Sequence, residues 1–157
     1  MKNIKSILSI LLVLVWMIVI YNFSNMPSDE SDEKSKGFIN ETIEIITKVT
    51  NKDLTEEEIK VKVDKLNYPV RKLAHASVYF ILALFILNVI FDMQVPKTLK
   101  IYLITILICF LYAITDEYHQ TFIDGRAGKF TDVLIDTSGA TIACLIVMIL
   151  SKKKSSS

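Results

Sequence analysis

Four apolar runs limit what this chain can become. They lie at residues 4–23, 73–91, 101–115 and 133–150. A hydrocarbon core of about 30 Å takes roughly 17–25 apolar residues as a helix. Three runs fit that length, and the third reaches it by extending to Tyr118. A water-soluble enzyme, a nucleic-acid-binding domain and a disordered tail are excluded, because each would leave these runs in water. The chain therefore reads as one membrane domain over residues 1–157. It is an all-α integral membrane protein, a bundle of four transmembrane helices at approximately 4–23, 71–91, 99–118 and 133–150. The lipid bilayer is its expected partner, no nucleic-acid partner is expected, and the sequence leaves protein partners open. Cys109 and Cys144 both fall inside spans, where they pack as small apolar residues. A disulfide framework would need cysteines in the exposed loops.

Charge sets the expected orientation. Lys2 and Lys5 precede the first span, Lys97 and Lys100 lie between spans two and three, and three lysines follow span four. The loop at residues 116–132 holds only Arg126 and Lys129. Lys and Arg accumulate on the cytoplasmic side, so both termini are expected in the cytoplasm of a multi-pass cell-membrane protein. The segment at residues 24–70 holds seven lysines of its own, mixed with eleven acids. The triple-lysine tail and the even span number outweigh it. The first run has the charged start of a signal peptide, but no small-residue cleavage pattern follows it, so an uncleaved anchor is expected. Trp16, Tyr21 and Phe23 suit an interfacial aromatic belt.

Residues 24–70 form an extracytoplasmic insert too long for a bare loop. Two amphipathic helices are predicted in it. Phe38, Thr42, Ile45, Ile46 and Val49 recur at helical spacing, with Asn51 as C-cap. The second helix starts at a capping box of Thr55 and Glu58, flanked by a staple of Leu54 and Ile59. Ile59, Val63 and Leu66 form its stripe, and Tyr68-Pro69 is expected to end it before span two. Such helices lie on the bilayer or cap the spans; a lid over an outer site is the functional alternative.

The residues that carry chemistry cluster at the outer ends of spans two to four. Arg71, His75 and Tyr79 share one face at i, i+4 and i+8, with Lys72 beside them. Asp116 and Gln120 form an i, i+4 pair with Glu117 adjacent, and a turn around Gly125 leads to Arg126. Asp132, Asp136 and Ala140 form a stripe at the start of span four, next to Gly139. A carboxylate inside a span must face other helices, and Arg71, Lys72 or Arg126 is the expected compensation for Asp136. Three readings are open. The charges are structural ion pairs; or Arg71, Lys72 and Arg126 bind an anionic headgroup while the acids orient them. In the third, Asp116 or Glu117 is a general base with His75 as proton carrier. A metal version would use His75, His119 and the carboxylates, but no HExxH spacing or ligand pair is present, so no metal or other cofactor is expected.

At these positions the chain resembles the VanZ-like family. The resemblance rests on Arg71-Lys-Leu-Ala-His75 with Tyr79, Asp116-Glu-Tyr-His-Gln120, Gly125-Arg126, and Asp132 through Asp136 to Gly139-Ala140. The exit of span one, Phe23-Ser-Asn-Met-Pro27, is similar as well. Many members carry an acid where this chain has Val78, and an Asn where it has Asp136. The resemblance implies a small polytopic membrane protein. The founding member is linked to low-level resistance to teicoplanin, a lipid-bearing glycopeptide. The expectation is a protein that engages an anionic envelope lipid or lipoglycopeptide at an outer polar pocket. Its ligand-binding residues would be Arg71, Lys72, His75, Tyr79, Asp116, Glu117, Gln120, Arg126, Asp132 and Asp136. An intramembrane acid–base enzyme using His75, Asp116 and Glu117 on a lipid-linked phosphate or sugar is the alternative, and a structural partner in envelope assembly is a third.

Overall fold

A computed structural model describes residues 2–51 and 53–155. Among the lysines of the charge argument, Lys52 lies outside the described residues, as do the side chains of Lys2, Lys153 and Lys154. Five helices follow in order: α1 (Lys2–Ser24), α2 (Ser28–Thr50), α3 (Glu56–Asp92), α4 (Leu99–Gln120) and α5 (Phe130–Ser155). Four of them, α1, α3, α4 and α5, are long and apolar enough to cross a membrane. Their outward faces carry large apolar side chains, among them Leu8, Leu14, Leu107, Leu111 and Ile146. In lipid these faces need no protein partner, because helices satisfy their own backbone groups.

The helix α3 is the hub. It contacts each of the other four helices and packs most extensively on α5. Tyr79, Leu82 and Ala83 of α3 meet Cys109 and Ala113 of α4 and Ala140, Ala143 and Cys144 of α5, all buried. Small residues dominate the α4 and α5 sides, and they let helix backbones approach closely where no hydrophobic drive exists between spans. Gly139 is the extreme case: a Cβ there would run into the carbonyl of Ala76. Trp16 belongs to this interior rather than to an aromatic belt. Its indole N–H donates to the Val78 carbonyl at 2.9 Å, and its ring packs edge-on against Phe85.

Both amphipathic segments of the insert are helical, but their boundaries and faces differ from expectation. The αL conformation of Asn51 ends α2, and the Thr55–Glu58 capping box starts α3, as the sequence predicts. The expected break at Tyr68-Pro69 is absent, and α3 runs through Pro69 into the membrane. An interior proline removes one backbone bond and costs about 3 kcal/mol. Packing against α2 offsets it. Ile39 and Ile43 of α2 bury against Val63, with Ile59 and Val70 alongside. Next to the proline, Asn67 donates to Asp32 Oδ1 at 2.5 Å and accepts from the Ser35 hydroxyl. The predicted stripe of Phe38, Ile45, Ile46 and Val49 faces away from α3 and is exposed. The buried face consists of Ile39 and Ile43, one residue along.

The Gly139 contact yields a paired prediction. Overpacking costs about 1–3 kcal/mol, so Gly139→Ala lowers the thermal midpoint of the detergent-solubilised protein. Gly37→Ala, where a Cβ meets nothing within 4 Å, leaves it unchanged or raises it. Equal melting of the two variants would remove Gly139 from the seam.

Candidate functional site

One end of the bundle gathers the polar residues of α2, α3, α4, α5 and the loop before α5. Three local devices bring them there. First, the turn at residues 121–129 is pinned to α2 by the Ser28 amide donating to the Asp124 carbonyl at 3.2 Å. Gly125 makes this possible, with φ +70° and Ser28 so near that an added Cβ would sit 3.0 Å from it. Second, Gly128 lies so close to the Glu117 carbonyl that no Cβ fits. The Lys129 amide thereby reaches Glu117 Oε2 at 2.9 Å. Glu117 thus caps the start of α5, where the helix dipole favours negative charge. Third, the capped α5 carries Asp132 in its first turn and turns Asp136 into the bundle.

These elements enclose a cavity of about 330 Å³ lined by Arg71, Lys72, His75, Gln120, Arg126 and Asp132. The wall also contains Asp32, Asn67 and Lys129. None of these three was anticipated in the site. Arg71 Nη1 lies 3.2 Å from Asp32 Oδ1. The Asn67 hydrogen bond first, and then Lys36 and Arg71, hold Asp32 below the usual carboxylate range. Lys72 Nζ meets Asp132 Oδ1 at 2.5 Å, with both side chains mostly buried. Arg126 spans the loop and α1: Nε donates to the Met26 carbonyl at 2.7 Å, Nη1 to Gln120 Oε1 at 3.1 Å and Nη2 to the Phe23 carbonyl at 3.4 Å. Burial first, and the charge of Arg71 next, pull Arg126 below the ordinary guanidinium value. It nevertheless remains protonated.

The expected compensation of Asp136 by a cation does not occur. Arg71, Lys72 and Arg126 are each engaged elsewhere, and the nearest basic group is His75 Nδ1 at 3.8 Å from Asp136 Oδ1. That separation is too long for a hydrogen bond. Asp136 is 0% exposed, and neither of its carboxylate oxygens has a hydrogen-bond partner. Glu117 Oε1 and the Tyr79 hydroxyl are likewise buried without partners. Asp116 receives Gln120 Nε2 at 3.3 Å. Asp116, Glu117 and Asp136 each bring an oxygen within 4.8 Å of the others. Like charges at about 4 Å repel by about 4 kcal/mol in a medium of effective dielectric 20, so three bare carboxylates in this arrangement need a counter-charge.

All ten sequence-predicted site residues therefore meet at this end, in two tiers. Arg71, Lys72, His75, Gln120, Arg126 and Asp132 line the cavity, while Tyr79, Asp116, Glu117 and Asp136 lie beneath it. His119 stands apart, with its ring on Tyr21 at 4.7 Å and its Nε2 3.4 Å from Asn25 Oδ1. Among the described residues, the candidate metal ligands are thus the three carboxylates, without His119. The signal for Asn67 was present but interrupted. Asn67, Arg71, His75 and Tyr79 form one continuous i, i+4 stripe once α3 is read through Pro69.

The Lys72–Asp132 contact is testable by a double-mutant cycle. Neighbouring charged groups couple by about 0.5–3 kcal/mol. Lys72→Ala and Asp132→Ala should each lower stability, and the double variant should lose less than their sum. Simple additivity in thermal or chemical unfolding would show that the contact contributes nothing.

Comparison with known proteins gives one match. A sequence model of the VanZ/LLP1 family aligns with residues 9–151. No curated protein and no solved structure matches the chain. The alignment runs from within α1 to the last turns of α5 and includes both tiers of the polar site, and the chain belongs to the VanZ/LLP1 family.

Proposed function

We propose that the cavity binds an anionic or amphiphilic molecule of the cell envelope, and that by doing so the protein lowers the action of lipoglycopeptides such as teicoplanin. The observation that carries this reading is the convergence of Arg71, Lys72 and Arg126 on one cavity between helices. Arg71 and Arg126 are close enough for their charges to repel. A phosphate or carboxylate between them relieves that repulsion, and guanidinium forks match such groups bidentately. Asp32, Asp132 and Gln120 hold the three cations in place. His75 and the Lys129 side of the loop complete the wall. The exposed apolar faces of α1 and α4 beside the cavity suit a ligand whose tail stays in lipid.

The reading sets both termini in the cytoplasm and the cavity at the outer leaflet, on the strength of the lysine bias. Cys109 and Cys144 are buried, so background labelling is low. In intact cells, a membrane-impermeant maleimide should label a cysteine introduced at Asp124 and spare one at Lys97. The opposite pattern would invert the orientation.

The binding test is a thermal-shift series on purified protein with undecaprenyl phosphate, phosphatidylglycerol vesicles and teicoplanin. A ligand of the folded state at 100 times its Kd adds about 2.7 kcal/mol of stability. The expected shift occurs in wild type and is lost in Arg71→Ala, whose ion pair is the most exposed of the cavity and whose removal disturbs the fold least. An equal shift in Arg71→Ala, or none in wild type, would overturn the proposal.

One observation favours a second reading. His75 and the unpartnered oxygens of Asp136 and Glu117 have the composition of an acid–base pair. Turnover of labelled envelope lipid that vanishes in Glu117→Gln would move the assignment to an intramembrane enzyme.

A further inference from the structure

The lower tier of the site is over-supplied with negative charge. Asp116, Glu117 and Asp136 lie there with Asp132 in the cavity wall above them, and the cations facing the four are Lys72 and Arg126; His75 Nδ1 stands 3.8 Å from Asp136 Oδ1, too far for a hydrogen bond. Arg71 is taken by Asp32, and Lys129 is exposed. Four carboxyl groups against two cations leave two carboxyls without a cationic partner. Three of the acids present oxygens within 4.8 Å of one another. These oxygens are hard, anionic and buried, the donor set of Mg²⁺, Mn²⁺ or Ca²⁺ rather than of zinc or copper.

A second observation is independent of the acids. The Tyr79 hydroxyl comes from a different helix, α3. It is 0% exposed, has no hydrogen-bond partner, and its ring lies 6.0 Å from that of Tyr112, one turn before Asp116 on α4. A buried O–H beside a carboxylate cluster, bonded to none of its members, lacks an acceptor. Buried polar groups without partners are rare and point to an ion or water between them. Water bound to a metal supplies that acceptor.

We propose that Asp116, Glu117 and Asp136 hold one divalent hard cation beneath the cavity, with the Tyr79 hydroxyl donating to a water on the ion. Two of the three ligands are oriented by a neighbour. Gln120 fixes Asp116, and the Lys129 amide fixes one oxygen of Glu117 and leaves Oε1 for the ion. The protein offers three carboxylates, so water completes the shell, as is usual for Mg²⁺ and Mn²⁺. The ion supplies the counter-charge that the unpaired carboxyls lack and ties α4 to α5. This inference does not depend on which envelope molecule occupies the cavity above.

The test uses the full chain in detergent, stripped of metal and titrated with Mn²⁺. Electron paramagnetic resonance reads free hydrated Mn²⁺, and a parallel melt reads stability. Wild type should bind one Mn²⁺ per chain and melt higher with it. Asp136→Asn keeps the side-chain volume and removes a buried charge. It should melt no lower than wild type without metal and lose the Mn²⁺ response. Tyr79→Phe should weaken Mn²⁺ by about tenfold, the usual cost of losing an outer-shell partner. Arg71→Ala should bind Mn²⁺ as wild type does, which separates this site from the ligand cavity. Free Mn²⁺ throughout a millimolar titration of wild type would overturn the proposal, as would undiminished binding by Asp136→Asn. Should Asp136→Asn fail to fold, Glu117→Gln carries the same comparison.

Discussion

The structure depends on the close approach of α3 to α5. With Gly139 against the Ala76 carbonyl, the two backbones touch. That distance sets every cross-helix pair above it: Lys72 meets Asp132, and His75 comes within 3.8 Å of Asp136. In a bilayer the hydrophobic effect does not press spans together, so small residues and polar contacts carry the association. The seam combines both. Gly139, Ala140 and Ala143 lie flat against α3, and the charged residues stand only where the helix emerges from it.

The remaining helices are fixed with respect to this seam. The loop before α5 is tethered three ways: to α2 through Ser28, to α4 through Glu117, and to α1 through Arg126. Arg126 is thus partly a clamp. Two of its three bonds go to carbonyls at the exit of α1, and this ties the least buried of the four membrane helices to the rest. That use of a cation could not be read from spacing, because backbone carbonyls have no sequence signature. Spacing did identify which side chains converge, since Arg71, His75 and Tyr79 or Asp132 and Asp136 follow from helical period alone.

Where the reading of the sequence stopped short, one residue was the cause. Pro69 signals a helix end by every local rule. Here α2 packs beside it and supplies contacts that a free helix lacks. Because α3 continues, the stripe begins at Asn67 rather than at Arg71, and Asn67 in turn draws Asp32 into the site. The acidic run at residues 28–33 looks like a solvated face in one dimension. In the fold, its inward member is a wall of the cavity. The face of α2 went astray for a related reason. Its apolar positions form two adjacent stripes, and only the position of α3 decides that Ile39 and Ile43 are the buried ones.

The two ends of the bundle separate a functional reading from helix glue. At the far end, Ser9, Asn88 and Asp92 join α1 to α3. Ser9 donates to Asp92 at 2.5 Å, and Asn88 donates to Ser9 at 3.0 Å. That cluster is small and closes on itself, as a polar network with a purely structural role does. At the near end, Tyr79, Glu117 and Asp136 keep buried oxygens with no partner. A network selected only for stability would trade such groups for apolar ones, since an unsatisfied buried polar atom costs about 1–3 kcal/mol. Five carboxylates (Asp32, Asp116, Glu117, Asp132 and Asp136) and three cations crowd one end, yet the pairing among them is incomplete. The unpartnered oxygens are what the proposed cation would complete below, and the cations of the wall are what the proposed anion would meet above.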